Sequence, residues 1–377
     1  MNKVFTKMVL ATVIVMGLFI QSCSEKSPKP DAANTVNAYG VSVDKSSIGN
    51  KLNIFIYPDY LPQELVDKFQ QTYGVTVVID YFDNNDALLA KMQAGGAGQY
   101  DIVCPSDYAV TIMKNLNLLQ KIDHANIPNL VNLDTKFHNL PYDMNNEYTV
   151  AYQWGTTGLG IRSDLVDVTG KNVDTWDIVF VPAKSLGAFT MLDDSRETIG
   201  TALKYLGYSL NTTNETELRA AEKLLLSQRK RVMAYAPSSP ARDYLVSGDA
   251  VVVHNYSGDV FMGQAEAEGI IYVIPREGGV IWTDNLAIPA AAPHKLAAEL
   301  FMNFILDPEN GAALTNFTRY ASPNKAALPF IEEDIKSNPG IYTKDPSVLE
   351  KMEYVMDVGE TAKLYDEVWT RVKAGGN

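Results

Sequence analysis

At four expected strand exits of this chain an aromatic ring and a carboxylate stand within three residues of each other: Tyr57 and Tyr60 with Asp59, Tyr108 with Asp107, Tyr256 with Asp259, and Trp282 with Asp284. Aromatic faces attract ammonium groups and cover methylene chains, while carboxylates fix the ends of an extended cation. Singly, each pair has a plain structural reading, because an aromatic at a strand end is usually core and an aspartate after it usually caps a helix. Four pairs at expected strand exits of two lobes describe instead a site for a linear polyamine. Asp194 and Glu197, at a further exit, add two acids. Such a pair also suits a secreted carboxylate-dependent glycosidase, which needs two acids flanking a bond, and that enzyme reading stands as the rival.

Other chemistries find little material. Two cysteines and four histidines exclude a disulfide framework, and His124, His138, His254 and His294 are scattered without metal-ligand spacing. Gly95-Gly96-Ala97-Gly98 follows a helical pattern and precedes a strand, the reverse of a dinucleotide loop, and Gly155-Thr156-Thr157-Gly158-Leu159-Gly160 lacks a phosphate-loop lysine. Both are read as turns. No metal and no cofactor is expected. A formal charge of −13 repels phosphate backbones and anionic headgroups, so nucleic acid is not an expected partner and a cationic ligand fits the field.

The elements that must place these residues alternate. Leu52–Tyr57 reads as a strand, Pro62 opens a helix with Leu65, Val66, Phe69 and Tyr73 on one face and Gly74 as its stop, and Val75–Phe82 is a second strand. A helix over Asp86–Gln93, a strand over Asp101–Cys104 and a helix over Tyr108–Leu119 follow, with Cys104 as a buried small hydrophobe. A second set has strands at Leu159–Ile161, Ala188–Leu192, Val232–Tyr235, Ala250–Asn255 and Ile270–Ile274, and helices at Glu197–Leu206 and Glu215–Gln228. After Trp282-Thr283-Asp284 one more strand is expected at Leu286–Ile288. This order is that of an α/β protein whose parallel strands deliver ligand contacts at their carboxyl ends.

At the amino terminus, Lys3 and Lys7 precede an apolar run from Met8 to Ile20, the pattern of a secretion signal over residues 1–22. Ile20-Gln21-Ser22-Cys23 resembles a bacterial lipobox, which makes Cys23 the expected lipidated first residue of the mature protein. Loss of Lys3 and Lys7 takes the charge from −13 to −15. Residues 23–50, rich in Ser, Lys, Pro, Asp and Asn, are expected to form a flexible tether.

From Leu52 to Arg371 the chain resembles bacterial periplasmic spermidine/putrescine-binding proteins, the solute receptors of ABC importers. The resemblance is carried by Tyr100-Asp101-Ile102-Val103-Cys104-Pro105-Ser106, Asp193-Asp194-Ser195-Arg196-Glu197, Leu206-Gly207-Tyr208-Ser209, the run from Gly278 through Trp282-Thr283-Asp284 to Pro289, and Ser322-Pro323-Asn324. It implies a two-lobed periplasmic-binding-protein fold of type II, each lobe a mostly parallel sheet flanked by helices, with the ligand in the cleft. Residues 51–155 with 282–327 would form the first lobe and 156–281 with 328–377 the second, joined near Gly155, Trp282 and Leu328. Carried over position by position, Tyr57 and Tyr256 stand where the family has tryptophans, and Asp59 where it has an acid. Tyr60, Ser106, Asp107, Tyr108, Asp194, Glu197, Trp282, Asp284 and Tyr320 complete the expected site. Asp259 fits the putrescine variant, whereas Pro58, Pro237 and Val355 depart from positions where spermidine receptors often place hydrogen-bonding side chains. The resemblance implies a monomeric, non-enzymatic receptor held to a bacterial membrane by its Cys23 lipid, closing on putrescine or spermidine by a hinge and delivering it to the membrane subunits of an importer. Receptors for another cationic solute remain the alternative. Iron receptors of similar fold commonly use adjacent tyrosines, which this chain lacks, and anion receptors rely on helix N-termini and few buried acids.

Overall fold

The computed structural model describes residues 34–342 and 345–375. The signal segment and Cys23 lie outside the described residues. What was expected to be tether folds from Asn34 onward. Strands β1 (Thr35–Ala38) and β2 (Val41–Asp44) form an antiparallel hairpin followed by a helical turn, Lys45–Ile48. Tyr39 and Gly40 at its tip take φ of 51° and 78°, the positive values that a two-residue hairpin turn requires. Val36 and Ile48 are buried, and the Tyr39 ring packs edge-on against Phe304 at 5.2 Å. The apolar residues scattered through a polar stretch are thus the anchoring side of a docked hairpin.

The remaining strands are β3 (Lys51–Ile56), β4 (Thr76–Tyr81), β5 (Ile102–Val103), β6 (Thr149–Arg162), β7 (Phe189–Leu192), β8 (Val232–Ala236), β9 (Val252–Tyr256), β10 (Ile270–Val273) and β11 (Ile281–Ala287). They form one sheet in the order β4-β3-β5-β11-β6-β9-β7-β8, with β10 also on β6. At one end β4, β3 and β5 are parallel; at the other β9, β7 and β8 are parallel. Antiparallel β11 and β6 join the two groups. The helix after β3, Gln63–Tyr73, buries Leu65, Val66, Phe69 and Tyr73 and stops at left-handed Gly74, with Pro62 one residue outside it as the cap.

Two expectations are corrected along the joining strands. Gly155–Gly160 is the middle of the 14-residue β6 and not a turn. Trp282-Thr283-Asp284 lies inside β11, which starts at Ile281, and not before a strand. Every residue of β6 is buried, so its polar residues Thr149, Gln153, Thr156 and Thr157 face protein on both sides. The alternation that marks a half-exposed strand is therefore missing from its sequence.

Two cores flank the joining strands. One holds Leu52, Ile54, Phe69, Phe301 and Phe304; the other holds Trp176, Phe189, Leu225, Tyr365 and Val368. Residues 331–355, expected in the second lobe, place Ile331, Ile335, Ile341 and Val355 in the first core, and the second core takes the chain back at Tyr365.

Asp101, just before β5, is wholly buried and ties the first core together. Its carboxylate accepts from the backbone and side-chain nitrogens of Asn53 (2.7 and 3.1 Å) and from the His294 backbone (2.8 Å), and it meets His294 Nδ1 at 3.1 Å. Asp101→Ala would strand these donors out of water and should cost about 3–5 kcal/mol of stability. Urea unfolding checks this; a loss of less than about 1 kcal/mol would mean that water replaces the carboxylate.

Candidate ligand-binding cavity

The strand ends and the joining strands converge on one cavity with about 590 Å³ of space, its mouth included. Twelve of the thirteen expected residues line it: Tyr57, Tyr60, Ser106, Asp107, Tyr108, Asp194, Glu197, Tyr256, Asp259, Trp282, Asp284 and Tyr320. Asp59 does not. It sits at φ 55° in the loop after β3, exposed, with its carboxylate on Arg242 Nη2 at 3.0 Å and Ser239 Oγ at 3.1 Å. Pro58 and Val355 also face the cavity, as do four residues not expected there: Asn85, Arg196, Ser238 and Val280.

Topology explains the convergence. Tyr57 follows β3, Ser106 follows β5, Asp194 follows β7 and Tyr256 ends β9, all at carboxyl ends of parallel strands. Trp282 and Asp284 share one face of β11 because side chains alternate along a strand. Two glycines make room for the rings. A Cβ on Gly155 would fall 2.7 Å from the Trp282 ring, and one on Gly258 would fall 2.5 Å from the Tyr320 ring. The rings form a continuous belt of edge-to-face contacts: Tyr256 on Trp282 at 5.7 Å, Trp282 on Tyr320 at 5.2 Å, Tyr320 on Tyr60 at 5.5 Å and Tyr60 on Tyr57 at 5.4 Å.

Five carboxyls stand in this belt, each buried. Asp284 accepts the Tyr60 hydroxyl at 2.6 Å and the Ser106 hydroxyl at 2.5 Å; Ser106 Oγ in turn accepts from Asn85 Nδ2 at 3.0 Å. Asp107, in the first turn of the helix Asp107–Asn115, receives its own helix's Tyr108 N–H at 2.7 Å. Asp194 caps the helix Ser195–Tyr205 by accepting from the backbone of Arg196 and Glu197, which brings Glu197 round on the first turn with Oε2 unpartnered. Asp259 accepts the Tyr320 hydroxyl at 2.5 Å. The one cation on the wall is Arg196, its guanidinium 4.6 Å from the Tyr365 ring and 5.7 Å from that of Tyr108, bonded to Met356 O and Asn211 Oδ1 at 3.0 Å each.

Burial pushes each of these acids up. Asp194, Asp259 and Asp284 rise to about 6 and Asp107 to about 8. Glu197 goes well above the carboxylate range, from burial first and then from Asp194 beside it. Such a cavity attracts protons or an organic cation, and the rings suit a methylene chain. Asn85 was missed because it follows a polar turn after β4 that reads as an ordinary helix start. Arg196 lies between the two acids of its motif, where a charge opposite to theirs reads as their partner.

The model of the family of bacterial extracellular solute-binding proteins matches residues 64–343. The spermidine/putrescine-binding periplasmic protein of Salmonella typhimurium is 32% identical over 338 residues, covering 90% of this chain and 96% of its own. The putrescine-binding periplasmic protein SpuD of Pseudomonas aeruginosa is 35% identical, covering 86% of this chain and 92% of its own. Among solved structures, the Tp0655 lipoprotein of Treponema pallidum superposes with a TM-score of 0.73 at 30% identity, over 86% of this chain and 99% of its own.

An acid with a raised folded-state pKa holds a proton in the fold that the unfolded chain releases near pH 4. Its stabilising contribution is present at low pH and is lost as pH rises through its folded value, about 8 for Asp107. Asp107→Asn should therefore raise the melting temperature of the ligand-free protein more above about pH 8 than near about pH 5. Calorimetric scans at both values check it, and an equal shift at both contradicts the assignment.

Proposed function

The chain belongs to the family of bacterial extracellular solute-binding proteins, and from that membership we propose that it is a lipid-anchored extracytoplasmic receptor for polyamines that serves an ABC importer. The carrying observation is the charge of the cavity: five buried carboxyls face one guanidinium within a belt of aromatic rings. A linear diamine or triamine supplies ammonium groups for the acids and methylenes for the rings. Closure of two lobes about the strands β6 and β11 encloses the ligand, and the importer's membrane subunits receive it. The chain acts by binding and release and not by turnover, as its relatives' names describe binding proteins. Putrescine is the preferred ligand, because Asp259 adds an acid while Pro58 and Val355 put apolar surface where a longer chain needs acceptors.

Titration calorimetry with putrescine and spermidine tests the reading. Asp284→Asn or Glu197→Gln should weaken binding by about 2–4 kcal/mol, the effect of removing one partner of a desolvated charge pair. Trp282→Ala should cost about 2 kcal/mol or more, as an aromatic anchor does. Unchanged affinity in all three would move the site elsewhere.

The anchor rests on the lipobox-like tetrad ending at Cys23 and on likeness to a protein named as a lipoprotein. Mature wild-type protein should partition into detergent, and Cys23→Ala should abolish that partitioning or stall processing. Equal partitioning of the two removes the anchor from the proposal.

A further inference from the structure

Arg242 stands beside the cavity without lining it. It belongs to the helix Ser238–Ser247, its side chain is 13% exposed, and no family motif quoted above includes it. Three carboxylates face it: Asp59 from the loop after β3 at 3.0 Å, Asp259 from the neighbouring helix at 3.9 Å, and Asp243 on its own helix at 3.5 Å. Met262 Sδ lies 3.9 Å from its Nη1, and its Nε has no partner.

The acids of the cavity are therefore not equivalent. Both oxygens of Asp284 are held by neutral hydroxyls, those of Tyr60 and Ser106, so its full charge is left for a ligand. Asp259 has a neutral hydroxyl on Oδ2 and a guanidinium beside Oδ1. Asp59 and Ser239 keep that guanidinium in place across the gap between the two strand groups. A ligand ammonium arriving at Asp259 meets an acid whose charge is already shared, with a fixed like charge behind it in a medium that screens poorly.

We propose that Arg242 determines which polyamine length the cavity accepts, by occupying the charge of the Asp259 end so that a dication is favoured and a further ammonium there is opposed. The proposal rests on the polyamine reading and deepens it. Asp59 acts only through Arg242, as the clasp that positions it.

Calorimetric titration of wild type, Arg242→Gln, Arg242→Lys and Asp59→Asn with putrescine and with spermidine, at one ionic strength, tests it. Arg242→Gln should shift the ratio of affinities toward spermidine by roughly tenfold or more. Arg242→Lys keeps the charge and should hold the wild-type ratio within about twofold, whereas Asp59→Asn, which loosens the clasp, should shift the ratio in the same direction as Arg242→Gln and by less. An unchanged ratio in Arg242→Gln overturns the proposal while leaving polyamine binding intact. A larger shift in Asp59→Asn than in Arg242→Gln also overturns it, since closure and not the Arg242 charge would then set the preference. Wild-type protein that binds neither polyamine removes the functional reading and this proposal with it.

Discussion

Withdrawing five carboxyls from water with one guanidinium on the cavity wall and a second behind Asp259 is the constraint on which the rest of this structure depends. Burial raises every one of them, to about 6 for three aspartates and about 8 for Asp107. An ionised acid in such surroundings is costly unless it is met, and a fold can hold this many only if protons or a cation complete them. The interactions around the acids fit that demand. They fix positions through hydroxyls, backbone N–H groups and helix first turns, and they leave charge unmatched. The free energy that folding loses in assembling the cluster is what an incoming cation recovers.

The architecture makes such a cluster both buried and reachable. Asp107 and Asp284 belong to the group of elements around β5 and β11, while Asp194, Glu197 and Asp259 come from the helices that follow β7 and β9. Repulsion among the acids acts within each group, as between Asp194 and Glu197, and also across the cleft, as between Glu197 and Asp107 or Asp284. β6, β11 and the segment from Val355 to Tyr365 run between them in the chain. Direct bonds that cross the cleft include those of Tyr320 to Asp259, Arg242 and Ser239 to Asp59, Asn84 Nδ2 to Asp193 O at 3.3 Å, and Ser195 Oγ to Asp86 at 3.3 Å. Separation of the two groups would relieve the part of the repulsion that crosses the cleft, and a bound cation would favour their approach.

Much of this was legible in the chain because strand exits advertise themselves. Tyr57, Ser106, Asp194 and Tyr256 follow apolar runs of strand length, and their place in the cavity follows from the carboxyl-end rule alone. Tyr320 was legible only through family resemblance, since it follows a helix and no local pattern aims it at Asp259. The joining strands were legible only at their ends, Leu159–Ile161 and Leu286–Ile288, for a physical reason: a strand buried on both faces in a polar segment shows neither alternation nor an apolar run over most of its length. For Asp59 the residue type was informative and the backbone was not, because a left-handed φ of 55° turns the carboxylate out toward Arg242. The hairpin at Thr35–Asp44 was obscured by its polar composition, although Tyr39-Gly40 carries its turn.

The identity of an acid's partner separates the carboxyls that hold this fold from those that leave charge over for a ligand. Away from the cavity, several acids meet cations: Glu353 with Lys204 at 2.6 Å, Glu222 with Arg371 at 2.5 Å, Asp164 with Arg162 at 2.8 Å. Inside it, Asp284 meets the hydroxyls of Tyr60 and Ser106, Asp259 meets that of Tyr320 with Arg242 Nη1 at 3.9 Å behind it, and Glu197 leaves one oxygen bare. A hydroxyl directs a carboxylate without cancelling it, whereas a lysine or arginine does both. Replacing those hydroxyl partners by cations would make the cavity acids cheaper to bury and leave no charge for a ligand to complete. The same tyrosines that orient the acids form the belt that would cover a methylene chain, so one set of side chains does both jobs. Each ring is held edge-on by its neighbours, which fixes the hydroxyls and hence the acids before any ligand arrives.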